Sequence, residues 1–116
     1  MSKYMVLLYA AESGLPKPGS AEFDSQNQAY GAVYDNFSKR GAFVSGDPLQ
    51  PSGSAISVRV RNGQRQETPG AASNGAEQLI GYYVLECKSD SEAAELAATI
   101  PAAAVGTVEV RPVVQM

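Results

Sequence analysis

Two segments of the chain, Lys3–Ala10 and Gln78–Cys87, are apolar at almost every position. Successive side chains of a strand point to opposite faces, so each segment predicts a strand that is apolar on both faces. The first segment alternates between two apolar sets, which are Met5, Leu7 and Tyr9 on one face and Tyr4, Val6 and Leu8 on the other. A strand of this kind must be covered on both sides.

Two other segments have the spacing of amphipathic helices. Ser20 is a predicted N-cap, and Gly41 is the predicted stop of the first helix. The apolar stripe of that helix consists of Phe23, Tyr30, Val33, Tyr34 and Phe37. The second helix is predicted over Ser89–Ile100, where Ser89 and Glu92 match a capping box and Pro101 ends the helix.

The middle of the chain predicts a short strand, a loop and a hairpin. Ala42–Val44 is the short strand, and Ser45–Gly53 holds two prolines and two glycines, which predicts the principal loop without regular pairing. Apolar and polar residues alternate in Ile56–Arg61, and Asn62-Gly63 is the preferred dipeptide of a type I′ turn. We therefore expect a hairpin that returns over Gln64–Glu67.

The order of these elements predicts the fold. Strand, helix, strand, hairpin, strand, helix and a last strand at Thr107–Val113 fit an α+β ferredoxin-like sandwich. Its sheet is mainly antiparallel, two helices cover one face, the hairpin is an addition, and residues 1–116 form a single domain. Because the other face of the sheet also carries apolar residues, we expect a homodimer whose sheets pack face to face in a dimeric α/β-barrel association.

Composition narrows the classes of function. The chain has nine basic and twelve acidic residues, and the basic ones form no stripe, which argues against nucleic-acid binding. With no histidine and one cysteine, Cys87, the usual zinc sites and histidine-dependent nucleophiles cannot be assembled. No apolar run approaches the roughly 20 residues of a membrane span, and the apolar start reads as a buried strand rather than a signal peptide. We therefore expect a cytoplasmic protein without cofactor, metal or membrane contact.

Five segments, spread over nearly the whole chain, resemble a known family. They are Lys3–Tyr9, Ser45–Pro51, Val58–Gly63, Glu77–Tyr83 and Val108–Val113. In this order they are similar to the YCII-related proteins of the DGPF subgroup, and the resemblance implies a small bacterial domain of the dimeric α/β-barrel type.

The chain departs from that family at two points. The Asp-Gly-Pro-Phe signature of the subgroup would fall at Pro69–Ala72, where only the glycine is kept, so the signature is degenerate. The histidine that pairs with an aspartate in catalytic interpretations of the wider family has no counterpart here. The resemblance therefore does not supply a catalytic pair, and whether the chain is an enzyme stays open.

Five polar residues are the candidate ligand contacts, namely Asp47, Gln50, Arg59, Tyr82 and Arg111. Arg59 is a forked donor suited to a carboxylate or phosphate, or else part of a solvated strand face. Asp47 either caps the turn before Pro48 or serves as a general base beside a pocket. Tyr82 and Tyr83 point to opposite faces, so one packs under the helices and the other enters the dimer space.

Three hypotheses of function follow. The preferred one is a homodimeric domain that binds a small organic ligand in a pocket near the dimer sheet faces, beside the loop Asp47–Pro51. The alternative is an interaction or regulatory module whose hairpin, Ser54–Glu67, augments the sheet of another protein. The third is an enzyme that uses a carboxylate and a tyrosine on an enolisable substrate.

Overall fold

Six strands and three α-helices form the chain in the computed structural model, which describes residues 1–116. In chain order they are β1 (Ser2–Ala10), α1 (Ala21–Lys39), β2 (Phe43–Pro48), β3 (Ile56–Arg61), β4 (Gln64–Pro69), β5 (Gln78–Cys87), α2 (Asp90–Ala97), α3 (Ala102–Val105) and β6 (Thr107–Pro112). Single 3₁₀ turns follow β1 and precede β3.

Four of the strands form one antiparallel sheet in the order β2-β5-β1-β6. The other two, β3 and β4, pair only with each other as a hairpin between β2 and β5. Asn62 and Gly63 at its tip have φ values of 53° and 75°, as the predicted type I′ turn requires. The predicted α+β fold with a ferredoxin-like sheet and an added hairpin is confirmed.

The hydrophobic core lies between the helices and one face of the sheet. Its largest fully buried side chains come from the central strands, from α1, and from α2 and the turn after it: Val6, Leu85, Cys87, Phe37, Leu96 and Ile100. Burying one such aliphatic or aromatic side chain contributes about 1.5–3 kcal/mol. Cys87 is a free, buried residue of this core.

The opposite face of the sheet, which we call the open face, has no helix packed on it. Strand register aligns Asp47, Tyr82, Leu7 and Glu109 in one row across the four strands. The apolar residues of the open face are Met5, Leu7, Tyr9, Tyr82 and Val84, and all five are partly exposed. The prediction that β1 and β5 are apolar on both faces is therefore confirmed.

The principal loop is shorter than the sequence predicts. Ser45–Gly53 was expected to lack regular pairing, but its first four residues belong to β2 and pair with β5. The expectation is wrong because β2 is an outer strand and Pro48 is its last residue. A proline at the end of an edge strand removes no hydrogen bond from the ladder. The loop therefore begins at Leu49.

The second helical segment is divided in two. The helix expected over Ser89–Ile100 ends at Ala97, where N–H groups bonding three residues back tighten the turn. Pro101, with φ of −52°, opens the additional helix α3, because a proline lacks only an N–H that the first turn would leave unpaired. Three helices therefore cover the core face instead of two. None of them is long and apolar enough to cross a membrane.

Candidate functional site

A cavity of about 770 Å³, which we call the cleft, lies between the N-terminal half of α1 and the β2–β5 side of the sheet. Helix α1 buries only Val33 and Phe37, both in its C-terminal half. One turn after Phe23 the helix presents Gln26 and Asn27, which line the cleft. In a closed contact between helix and sheet, these positions would carry apolar residues. Because they carry amides instead, this half of α1 does not pack on the sheet.

One wall of the cleft is a chain of aromatic rings in edge-to-face contact. The ring centroid of Tyr34 lies 4.9 Å from that of Phe43, and the Phe43 centroid lies 6.4 Å from that of Tyr83. Tyr83 also meets Phe37 of the core, with 5.3 Å between centroids. Contacts of this geometry are favourable for aromatic pairs and hold each ring in place. The cleft therefore has an aromatic wall that packs against Phe37 of the core.

Two tyrosine hydroxyls give this apolar cleft polar groups. Burial, together with the neighbouring Tyr30, raises the pKa of Tyr83 to about 12. Burial also raises the pKa of Tyr30, although the backbone of Ala102 offsets part of the effect. Tyr83 lines the cleft, and its hydroxyl is not fully buried, since no fully buried side-chain oxygen or nitrogen lacks a partner. Both phenols stay neutral at physiological pH, and a neutral hydroxyl can donate or accept a hydrogen bond.

The carboxylate of Glu12 links two loops by hydrogen bonds at one end of the cleft. Glu12 accepts a hydrogen bond of 2.7 Å from the backbone N–H of Ser52 and one of 2.6 Å from its hydroxyl. These bonds favour the ionised carboxylate and lower the pKa of Glu12. The contact joins the turn after β1 to the segment before β3, and both adjoin lining residues of the cleft.

Asp47 and Tyr82 form a hydrogen-bonded pair at the edge of the sheet. They are directly opposite each other on β2 and β5, and the Tyr82 hydroxyl donates to Oδ2 of Asp47 at 2.8 Å. That bond raises the pKa of Tyr82, because it favours the neutral phenol beside a carboxylate. The alternative that Asp47 caps a turn is wrong, since it lies within β2 and its carboxylate accepts from Tyr82.

The five residues predicted from the sequence do not form one site. Asp47, Gln50 and Tyr82 are all lining residues of the cleft, although the side chains of Asp47 and Tyr82 lie on the open face of the sheet. Arg59 lies on the hairpin and lines a second, shallower cavity of about 710 Å³ between the hairpin and the start of β5, which we call the hairpin groove. Arg111 is on β6, at the far edge of the sheet, where it pairs with Glu109. Gln50 is shared by both cavities.

Several lining residues were not predicted from the sequence. From the sequence, Tyr30 belongs to the apolar stripe of the first helix, nothing singles out Gln26 or Asn27, and either Tyr82 or Tyr83 can be the one that packs under the helices. A signal for the cleft was present, because the apolar stripe of α1 skips the turn between Phe23 and Tyr30. No group of three or more carboxylate or cysteine side chains is arranged to hold a metal ion.

The family model of the YCII-related domain matches residues 2–116 of the chain. The chain belongs to the YCII-related family. The matched range includes all the strands and helices as well as the residues lining both cavities. A search of curated proteins found no match.

Gly46 shapes the floor of the cleft in this YCII-related domain. A Cβ atom at this position would lie 2.6 Å from Cδ1 of Tyr83, closer than carbon atoms approach in proteins. Glycine therefore leaves room for the Tyr83 ring beside the backbone of β2. With two neutral phenols, two amides and an aromatic wall, the site is chemically suited to hold an organic molecule by shape and hydrogen bonds.

Proposed function

We propose that this YCII-related chain is a homodimeric domain that binds a small organic molecule in the cleft. The observation that carries the proposal is the separation of the N-terminal half of α1 from an aromatic part of the sheet. At about 770 Å³ the cleft is within the usual size of ligand pockets, which span about 300–1,000 Å³. The ligand would therefore lie on the helix side of the sheet rather than between the two sheet faces.

The lining groups indicate the chemical class of the ligand. The rings of Phe43 and Tyr83 suit a flat aromatic molecule, and the hydroxyls of Tyr30 and Tyr83 suit a hydroxyl or carbonyl oxygen. Lys17 is the one cation among the lining residues, and Glu12 is the one carboxylate on this side of the sheet, because the Asp47 side chain lies on the open face. The site therefore favours phenols and aromatic monocarboxylic acids over nucleotides or other polyanions.

The homodimer in this proposal rests on the open face. Apolar side chains there have no helical layer over them, and a second copy packed face to face would remove them from water. Membership of the DGPF subgroup is likewise our proposal, on the strength of the segments that resemble it. Its signature position, Pro69–Ala72, lies at the end of β4, and two of its residues line the hairpin groove.

A ligand screen with matched tyrosine variants tests the binding proposal. Phenols and aromatic acids should raise the melting temperature, because a ligand that binds the native state stabilises it. Tyr30→Phe removes one hydroxyl and keeps the ring, so the affinity of a hit should fall roughly two- to tenfold, as expected for one hydrogen bond. Tyr9→Phe makes the same change on the open face and should leave the affinity unchanged. Equal losses in both variants, or hits that perturb only open-face resonances, would contradict the proposed site.

A further inference from the structure

The hairpin formed by β3 and β4 exposes a stripe of apolar side chains. All of its strand residues except Ser57 are exposed. Ile56, Val58 and Val60 lie on one face of β3 and have 68%, 57% and 61% of their surface exposed. An isolated two-stranded hairpin is at best marginally stable in water. A β-branched residue at every second position of such an element indicates a surface that is covered in the assembled protein.

The hairpin pairs with no strand of the main sheet, and the molecule as a whole is wider than a compact domain. The Cα radius of gyration is 15.9 Å, whereas a compact chain of this length has about 13 Å. The principal extents are 47, 43 and 19 Å, so the chain is a flat slab widened within its plane. At its base the two ends of the hairpin are joined to each other, since Ser57 donates to the Gly70 carbonyl and Gly70 N–H donates to that of Ala55.

Charge indicates which partner the hairpin fits. Residues 56–69 contain three of the nine basic residues and one of the twelve acidic residues of the chain. The hairpin therefore carries a net charge of +2, and the other residues carry −5. A cationic arm on an otherwise anionic chain is electrostatically complementary to another copy of that chain.

The area of the open face leads to the same partner. The four strands lie about 4.8 Å apart, and each contributes about six residues with a rise of about 3.4 Å per residue. The flat area of this face of the sheet is therefore roughly 400 Å². A stable interface of standard size buries about 800 Å² per partner. The open face alone supplies about half of that area, and the Ile56, Val58 and Val60 face of the hairpin enlarges it.

We infer that the hairpin is an arm that packs on a second copy of the chain. The face with Ile56, Val58 and Val60, which also carries the Arg65–Glu67 ion pair of β4, lies on the surface of the partner, and the opposite face with Arg59 and Gln66 stays in solvent. The inference rests on the homodimer proposed above and adds a second contact region to the open face. Two-fold symmetry makes the exchange reciprocal, since each copy both gives and receives an arm.

Excision of the hairpin tests this inference. Because Gly70 N–H bonds to the Ala55 carbonyl at 2.7 Å, residues 56–69 can be replaced by two glycines that join ends already in contact. In sedimentation equilibrium the full chain should be a dimer, and the excised chain should have a dissociation constant at least about 100-fold higher. Circular dichroism and thermal melting should show that the excised chain keeps its fold.

If the excised chain does not fold, point variants on the two faces of the hairpin test whether it contacts the second copy. Val58→Lys places a charge on the apolar face and should weaken the dimer roughly tenfold or more. Gln66→Lys makes the same change of charge on the opposite face, next to Arg59, and should leave the dissociation constant within about twofold.

The outcomes separate this inference from the proposed function. A monomeric full chain would overturn the homodimer and the arm together, while binding in the cleft is measured independently by the ligand screen. An excised chain that dimerises as tightly as the full chain would overturn the arm alone. Val58→Lys and Gln66→Lys variants that weaken the dimer equally would do the same. The hairpin could instead bind a different protein, while the excised chain dimerises as tightly as the full chain. That result would support the interaction module and contradict this inference.

Discussion

Tyr82 and Asp47 show what strand register adds to the information in a sequence. The alternation in β5 is sufficient to predict that Tyr82 and Tyr83 point to opposite faces, and Tyr83 does pack against Phe37 of the core. The pairing with Asp47, 35 residues away, depends on how β2 is aligned with β5. That alignment includes a bulge after Phe43 and could not be derived from a segment rich in glycine and proline.

The pairing predicts a shift in the titration of Tyr82. In ¹³C-tyrosine NMR, its phenol should titrate above the ordinary tyrosine pKa, because its hydrogen bond to the Asp47 carboxylate favours the neutral form. Asp47→Asn removes the negative charge, so the pKa of Tyr82 should fall towards its ordinary value. Tyr82→Phe identifies the resonance. An unchanged titration in Asp47→Asn would show that the two side chains are not paired in solution.

Glu12 predicts a pH dependence of stability. Its folded-state pKa is lowered by the two bonds from Ser52, so its contribution is present above the ordinary glutamate pKa and is lost as the pH falls through the folded-state pKa. Glu12→Gln should therefore lower the melting temperature at neutral pH, and the difference from the natural chain should shrink on acidification. Melting curves over a pH series measure this. A difference that persists below the folded-state pKa would exclude the ionised carboxylate as its source.

At the scale of elements, local capping signals were sufficient to predict where both long helical segments begin. Ser20 accepts a hydrogen bond from Phe23 N–H, and Ser89 accepts one from Glu92 N–H. The helix end was predicted less well, because Pro101 was read as a stop although it also suits the first turn of a new helix. The signal for a helix start is specific, because the N-cap side chain must accept a hydrogen bond from a backbone N–H that has no partner within the helix. Proline is less specific, because it occurs both after the end of one helix and in the first turn of the next.

The cap at Ser89 predicts a measurable loss of stability. Ser89→Ala removes the acceptor of the Glu92 N–H at the start of α2 and should cost about 1 kcal/mol in the free energy of unfolding. Ser91→Ala is the control, since Ser91 is exposed inside the same helix and alanine is a better helix former. Urea denaturation of both variants tests the difference. Equal free energies of unfolding would mean that the cap is frayed in solution.

At the scale of the whole molecule, the sequence predicts the layers and leaves the cavities undetermined. Two-sided apolar strands were enough to indicate the sheet, the core face and the open face. The cleft depends on how closely one half of α1 approaches the sheet, which is a tertiary distance that no local pattern encodes. For the same reason Arg59 and Arg111, predicted beside Tyr82, lie on the hairpin and on the far edge of the sheet.

The open face predicts how the proposed dimer responds to a single charge. Leu7 is central there, between Tyr82 and Glu109 in the same row across the sheet, and its side chain is only partly buried in one chain. Leu7→Lys should therefore leave the fold intact but oppose burial of the face, because an unpaired ammonium in an apolar interface is strongly unfavourable. Sedimentation velocity should show a monomer with the secondary structure of the natural chain.

The control for this variant is Val105→Lys, which makes the same change at an exposed residue of α3, on the helical side of the molecule. It should remain dimeric, because the proposed interface does not include the helices. If Val105→Lys dissociates the protein while Leu7→Lys does not, the contact between copies involves the helical layer, and the open face needs another cover. If both variants dimerise as the natural chain does, association depends on neither surface. If Leu7→Lys still forms some dimer, and this dimer disappears when the hairpin is also excised, the hairpin makes the dominant contact between copies.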